Sequence, residues 1–390
     1  MSKKYAVSKT ITQINEKIRA KKAVVVNARE MTNLVKSKGK VKAASHVDVV
    51  TTGTFSPMCS SSALFNIGQQ PPLIKTHKLW LNGVSCYCGL AAVDSLVGAT
   101  EPAEDDPLNK VYPGKFKYGG GHVIEDLVRG RSVRLKAVSY GTDCYPRTIL
   151  EKDITLAELR NAWLFNPRNA YQNYNCAVNL TNKIVYTYMG PVRANMGNIN
   201  YATSGELSPL FNDPYFLTIG LGTKIFLAGG VGFVLGSGSQ HNPSPPRNER
   251  GIPKLPSGTL MVKGDLKQMD PRYLRGVSFA GYGCSLSVGI GIPIPVLNEE
   301  IAWYAGVADT DIDMPVVDYG HDYGAGKAKI LKYLSYAELK SGEVELYDKR
   351  VSTVPLTSYS MSLEIADKLK DWIEHGEFQL TEAQDKIESH

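Results

Sequence analysis

Two cysteines stand in contexts suited to sulfur chemistry. Cys59 lies in GTFSPMCSSS, which starts at Gly53, and Cys144 lies in YGTDCYPR, which starts at Tyr140. Each follows a segment of strand character and enters a turn rich in Gly, Ser, Thr and Pro. The end of a strand in an α/β sheet is where ligand sites form. The nucleophilic form of cysteine is the thiolate. A helix beginning at Ser60 would put Cys59 at its positive end and lower the thiol pKa from about 8.5. Arg147, three residues past Cys144, favours a thiolate there; Asp143 opposes it unless it accepts the proton. Taken singly, each cysteine reads more readily as a small buried hydrophobe. The repeated strand–turn–Cys arrangement brings the chemical reading level with that one.

The other cysteines carry weaker signals. Cys86 and Cys88 form a C-x-C pair. On a strand they would share a face, yet they supply only half a metal site, so packing is the preferred reading. Cys176 and Cys284 lack local partners and would join Cys59 or Cys144 only in space. Cys59, Cys144 and Cys284 together would suit a 4Fe-4S or 3Fe-4S cluster with one iron open to sulfide. No compact cluster spacing is present, and the alternative is a cysteine persulfide without metal.

Gly119, Gly120 and Gly121 precede His122 in YGGGH. Converging N–H groups at a helix start would make an anion nest there, with Gly120 and Gly121 as substrate-binding residues. His122 would serve as acid or base near neutral pH; a tight turn before a helix reads equally well. Gly230-Val231-Gly232 with Gly236 lacks dinucleotide-loop spacing. Asp309, Asp311 and Asp313 lack the glycine and glutamate of a calcium loop.

The elements that must position these residues read as an α/β chain, a mixed α+β arrangement being the variant. A layered sheet with flanking helices, glycine-rich site loops and a helical C-terminal tail is expected. Residues 8–20 and 29–37 have helical spacing, the second stopped at Gly39. Residues 23–26, 47–52 and 133–139 read as strands. Thr155 with Glu158 forms a capping box that predicts a helix through Phe165. Residues 240–258 hold five prolines and read as a long loop or lid, opened by Ser239-Gln240-His241-Asn242. VGIGIPIPVL, starting at Val288, suggests irregular packed backbone rather than a central strand. Ser335 with Glu338 caps a helix, and Ile365, Leu369, Trp372 and Ile373 form one apolar stripe. The expected organisation is a core over 1–330, for which length alone also allows two subdomains, and a helical extension over 331–390.

Bulk composition narrows the function. The chain has 390 residues, 43% hydrophobic and 21% charged, with a net charge of +6. That mild excess suits an anionic metabolite or an acidic electron carrier, not a nucleic acid. No apolar run is long enough for a membrane span, and the start lacks the apolar core of a secretory signal. The expected location is the cytoplasm, with reduced thiols. Glycine-rich packed segments are compatible with a homodimer and say nothing more about assembly.

The runs GTFSPMCSSSA, YGGGHVIEDLVRGRSV, YGTDCYPR, IFLAGGVGFVLGSGSQH and VGIGIPIPVLNEE together resemble the homocysteine-biosynthesis family of L-aspartate semialdehyde sulfurtransferases. The resemblance extends from about residue 10 to about residue 325. It implies that sulfide or persulfide sulfur is incorporated into L-aspartate semialdehyde, with external two-electron reduction by a separate ferredoxin-like protein. The family's essential cysteine falls on Cys59 and its second functional cysteine on Cys144. Some relatives continue into paired nucleotide-binding modules; the helical tail expected here gives no support to nucleotide regulation. For the substrate carboxylate, Arg147 is the first candidate and Arg193 the second. His122 or Asp143 would move protons. The alternative function is a persulfide or iron–sulfur carrier that delivers sulfur to another enzyme.

Overall fold

The computed structural model describes residues 4–168, 172–321 and 323–389. It is a mixed α/β protein in which antiparallel pairing dominates. The largest sheet has nine strands. Its order is Leu274–Phe279, Gly283–Gly291, Lys224–Leu227, Gly230–Ser237, Leu260–Asp265, Asn161–Asn166, Ser62–Asn66 and Asp94–Gly98, with Thr54–Pro57 paired to Gly283–Gly291 off that path. A six-stranded mixed sheet runs Ile330–Ser335, Asp313–Asp318, Cys176–Val178, Ile199–Tyr201, Lys349–Pro355 and Glu343–Leu346. Smaller sheets include Val84–Cys86, Lys78–Leu81, Val133–Val138 and Ile149–Ile154 as one group of four.

Local signals account for many boundaries. Helix Ile11–Arg19 starts at a Thr10–Gln13 capping box and buries Ile14 and Ile18. Helix Ala28–Lys38 starts at Asn27 and ends at Gly39, whose φ of +79° suits a residue without Cβ. Ser335 caps helix Tyr336–Lys340 through Glu338, as its sequence predicts. Residues 240–258 hold no helix or strand, in agreement with their prolines.

Four expectations change. Strand Thr54–Pro57 passes through a turn into strand Ser62–Asn66, so no helix begins at Ser60. The Thr155–Glu158 box forms its hydrogen bonds, yet it closes a turn before strand Asn161–Asn166. There Ala162, Leu164 and Asn166 point inward at period two, and cross-strand packing overrides the local cap. Gly283–Gly291 is a fully buried strand with partners along both edges, not irregular backbone. Its prolines fall just beyond, in the short strand Pro293–Pro295. Finally, residues 331–390 are not purely helical: they supply three strands of the six-stranded sheet as well as helices Tyr336–Lys340 and Tyr359–Glu374.

The last long helix reaches the heart of the molecule. Tyr359–Glu374 buries Ile365, Leu369 and Ile373 and lies against glycines that leave it room. A Cβ on Gly289 would stand 2.8 Å from Ile365 Cδ1, and one on Gly53 would stand 2.0 Å from the Ser362 carbonyl oxygen. The helix also holds the strand that leads to Cys59. Phe55 N–H donates to Ser362 Oγ at 3.1 Å, and Ser358 N–H donates to the Phe55 carbonyl at 3.0 Å.

Candidate active site around Cys59

Cys59 lies in the turn between Thr54–Pro57 and Ser62–Asn66. Ser61 N–H closes that turn on the Met58 carbonyl at 3.0 Å, and Met58 N–H is fixed to the Leu286 carbonyl at 2.8 Å. The buried Asn166 anchors the flanking serines: its amide donates to Ser61 Oγ at 3.2 Å, and it accepts from Ser60 Oγ at 3.3 Å. The half-buried Cys59 thiol receives a hydrogen bond from Ser285 Oγ at 3.3 Å. The thiol borders a cavity of about 150 Å³, enough for a small metabolite. Thr54, Ser56, Thr203, Ser208 and Thr357 bring hydroxyls to its wall; Arg168, Gln240, Tyr174 and Tyr188 bring larger polar groups.

Burial pushes the Cys59 thiol above its ordinary pKa. The Ser285 hydrogen bond, the local backbone and the positive charge of Arg168 pull it back. With no helix behind the thiol, the dipole argument is replaced by this contest, and desolvation is its largest element. Alkylation of Cys59 is therefore expected to rise with pH around a midpoint above the usual thiol value of about 8.5. Arg168→Gln should move that midpoint higher still. Mass spectrometry of iodoacetamide labelling between pH 6 and pH 10 checks this; a midpoint below the usual value contradicts it.

The remaining candidates are not brought to this cavity. Cys144 is exposed, 3.6 Å from Thr142 Oγ1. Its loop is tied by Arg147 to residues 71–73: Arg147 N–H donates to the Leu73 carbonyl and its guanidinium to the Pro71 carbonyl, both at 3.1 Å. That segment follows the far end of Ser62–Asn66 and stays beside it, with Ile67 bonded to Val93 and Thr76 to Ala92. Cys59 precedes the near end of that strand, which spans about 16 Å at ~3.3 Å per residue, whereas the Cys144 loop is tied to the segment beyond its far end. Asp143 is exposed on the Cys144 loop, and Arg147 serves that loop's anchoring instead of the cavity. Arg193 is exposed elsewhere, its N–H held by Asn198 Oδ1 at 2.6 Å.

His122 and the glycines before it have structural surroundings. The His122 ring stacks on Tyr118 at 5.5 Å, and its Nε2 is 3.4 Å from Ser278 Oγ. Its Nδ1 is buried without a hydrogen bond, and burial lowers its pKa. The N–H groups of Gly120 and Gly121 are already bonded to the carbonyls of Glu101 and Ala99 at 2.8 and 3.0 Å. A Cβ on Gly120 would stand 1.8 Å from the Gly98 carbonyl oxygen, and one on Gly121 would stand 2.0 Å from that of Ser285. These glycines permit close helix–strand packing and leave no nest for an anion.

Cys284 does not join Cys59. Side chains alternate along a strand, so with Ser285 bonded to Cys59, Cys284 turns the other way and meets the Phe116 carbonyl at 3.2 Å. Burial pushes its thiol up to about 11. Cys59, Cys144 and Cys284 therefore do not fit a shared cluster within this chain. Among the described residues, no group of three His, Cys, Asp or Glu side chains converges as a metal site. Cys86 is buried and Cys176 fully so, consistent with packing roles. Asp309 and Asp311 pair with Lys340 and Arg250. The run Gly320-His321-Asp322-Tyr323-Gly324 reads in the sequence as a turn, and its Asp322 lies outside the described residues.

Arg168, Tyr174 and Tyr188 carry no motif in the sequence. The one available signal is the enrichment of Asn and Tyr across residues 166–205. Gln240 opens the proline-rich loop expected to cover a site; it lines the cavity and is hydrogen-bonded to Arg168.

Residues 23–380 match the family described as homocysteine biosynthesis enzyme, sulfur-incorporation. An L-aspartate semialdehyde sulfurtransferase from Methanosarcina acetivorans is 46% identical over 98% of this chain and 72% of its own length. A protein of the same name from Methanocaldococcus jannaschii is also 46% identical, over 98% of this chain and 74% of its own. An uncharacterized protein from Methanothermobacter thermautotrophicus is 28% identical over 87% of this chain and 74% of its own. No solved structure matches. No helix among the described residues is long and apolar enough to cross a membrane.

Proposed function

The chain belongs to the homocysteine-biosynthesis sulfur-incorporation family, and from that premise we propose that it incorporates sulfur into L-aspartate semialdehyde to form homocysteine, with Cys59 as the sulfur-bearing residue. The observation that carries this reading is a cysteine thiol at the wall of a small cavity that also presents a guanidinium and several hydroxyls. Arg168, held by Gln240, takes the substrate carboxylate, the role the sequence assigned to Arg147 or Arg193. The outer sulfur of a Cys59 persulfide attacks the aldehyde carbon. The new C–S bond forms as the carbonyl electron pair moves to oxygen, which takes a proton. Two electrons and two protons then cleave the S–S bond, which restores the Cys59 thiol and frees a thiohemiacetal. Loss of water leaves a thiocarbonyl, and two further electrons with two protons reduce it to the thiol. Where the sulfur arrives as sulfide, it adds to the aldehyde directly and only the second electron pair is needed. A separate ferredoxin-like reductant supplies these electrons, and the cytoplasm keeps the thiols reduced. In this reading the Cys59 thiol itself carries the sulfur.

Anaerobic assay of homocysteine formation from aspartate semialdehyde, a sulfide source and a low-potential reductant tests the activity. Arg168→Ala should lower kcat/KM by roughly 10- to 100-fold, the cost of losing a charge-assisted contact to substrate. An unchanged kcat/KM would remove Arg168 from the binding role. The exposure of Cys144 favours a second reading, in which the protein hands persulfide to another enzyme. Aspartate semialdehyde binding by the isolated protein, measured calorimetrically, separates the two: the carrier reading requires none.

A further inference from the structure

Beside the Cys59 cavity lies a cluster of tyrosines that the reaction sketched above leaves unused. Tyr174 and Tyr188 line the cavity, their rings edge-on at 5.8 Å. The Tyr188 hydroxyl is 2.6 Å from that of Tyr319 and is also hydrogen-bonded to Tyr323. Tyr319 is buried and stacks on the half-buried Tyr323 at 3.8 Å. Tyr282, also edge-on to Tyr188, lies within electrostatic reach of Cys59. A continuous chain of phenols thus runs from the cavity wall through a buried tyrosine to one nearer the surface. Three tyrosines with mutually bonded hydroxyls are a costly way to fill a core, since each buried O–H must be matched.

Resting on the aldehyde chemistry proposed for Cys59, we infer that Tyr188 is a catalytic residue that donates its hydroxyl proton to the substrate carbonyl oxygen, with Tyr319 and Tyr323 as the relay that restores it. A phenol oxygen accepts two hydrogen bonds and donates one. Tyr188 can therefore receive from Tyr319 and Tyr323 while giving its own proton on the cavity side, where the Tyr174 side chain is its resting hydrogen-bond partner and the substrate oxygen takes that place. In the addition step the C–S bond forms, the C=O π pair moves to oxygen, and that oxygen takes the Tyr188 proton. Tyr188 regains one from the relay, so the step is redox-neutral and consumes one proton from solvent. Burial among neighbouring phenols pushes Tyr188 far above the usual phenol pKa, which keeps the donor protonated through neutral pH.

The test uses the full-length chain under anaerobic conditions, with Tyr188→Phe, Tyr174→Phe and Tyr319→Phe. Two quantities are read: kcat for homocysteine formation, and the rate at which an aldehyde protects Cys59 from alkylation. Aspartate semialdehyde and succinic semialdehyde, which lacks the amino group, are the probes. Tyr188→Phe should lower both rates on the order of 10²-fold, the usual range for loss of a proton donor, while sulfur loading of Cys59 and the melting temperature stay at wild-type values. Tyr319→Phe should produce a smaller loss of the same kind. Rates within about twofold of wild type in Tyr188→Phe overturn the proposal, as does a tenfold or larger loss confined to Tyr174→Phe. If succinic semialdehyde protects Cys59 and the protection is slowed in Tyr188→Phe, yet aspartate semialdehyde is not converted by wild type, the donor role stands and the substrate assignment falls. Protection by neither aldehyde overturns both.

Discussion

Cys59→Ala is expected to lower homocysteine formation by on the order of 10³-fold or more, because no other thiol lines the cavity. The fold should tolerate the change. Cys59 is only partly buried, and its turn is built from main-chain bonds among Met58, Ser61, Leu286 and Ala99 that the substitution leaves in place. The stability change should stay within about 1 kcal/mol. Cyanide-releasable sulfur on the anaerobically purified protein gives an independent readout. It should vanish in Cys59→Ala and persist in Cys284→Ser, because the Cys284 thiol faces the Phe116 carbonyl on the other side of its strand. Cys144→Ala should fall between the two in activity, since its exposed loop does not reach the cavity yet remains accessible to a sulfur donor. Substantial homocysteine formation by Cys59→Ala would sink the assignment. Iron and acid-labile sulfide that disappear with Cys284→Ser would show instead that these cysteines share a cluster.

The legible parts of this site were those written in local chemistry. A cysteine in a Gly-Ser-Thr-Pro turn directly after a strand is visible in the sequence, and the structure puts Cys59 in such a turn at a cavity wall. The cap at Ser335 and the stop at Gly39 act within a few residues, so the helices they bound follow from spacing. Gln240 was legible only as part of a loop suited to covering a site. What spacing does not encode is which distant segments meet. Arg168 reaches the Cys59 cavity because Asn161–Asn166 pairs with Ser62–Asn66; Tyr188 reaches it from the turn of the hairpin Val185–Thr187 and Gly190–Val192, packed against Ala177 and Tyr319.

The same limit explains the misread elements. The Thr155–Glu158 hydrogen bonds exist, so the local signal was sound; the strand after them forms because Trp163 and Phe165 pair across the sheet to Leu64 and Ser62. The strand Gly283–Gly291 carries glycine at 289 and 291 because Ile365 and Leu369 of helix Tyr359–Glu374 lie directly on those positions. Gly120 and Gly121 have the composition of an anion nest, yet backbone atoms a short distance away already occupy the space and the N–H groups. Glycine reports closeness of approach, and sequence alone does not say whether the approaching group is a ligand or the protein itself.

Gly53→Ala should be among the most damaging single substitutions in the chain, although it adds one methyl group far from the termini. The new Cβ would stand 2.0 Å from the Ser362 carbonyl oxygen and 3.0 Å from the Ala366 nitrogen, both main-chain atoms of helix Tyr359–Glu374. No rotamer change relieves a clash with backbone, so the helix must move as a body. Overpacking of this kind costs about 3 kcal/mol or more at the upper end of its range. The displaced helix would carry off the bonds that fix Phe55 and the Thr357 hydroxyl that meets Ser56 Oγ at 2.9 Å, both on the strand leading to Cys59. Leu356 and Thr357 line the cavity itself, so activity should fall with stability. Gly39→Ala is the control. Its φ of +79° with ψ of 158° makes a side chain strained, but its Cβ would meet nothing within 4 Å, so the cost should be that of local backbone strain, about 2 kcal/mol, with activity intact. Urea midpoints at unchanged slope, measured beside turnover, order the two variants. A smaller loss for Gly53→Ala than for Gly39→Ala would mean that the C-terminal helix does not clamp the catalytic strand as described.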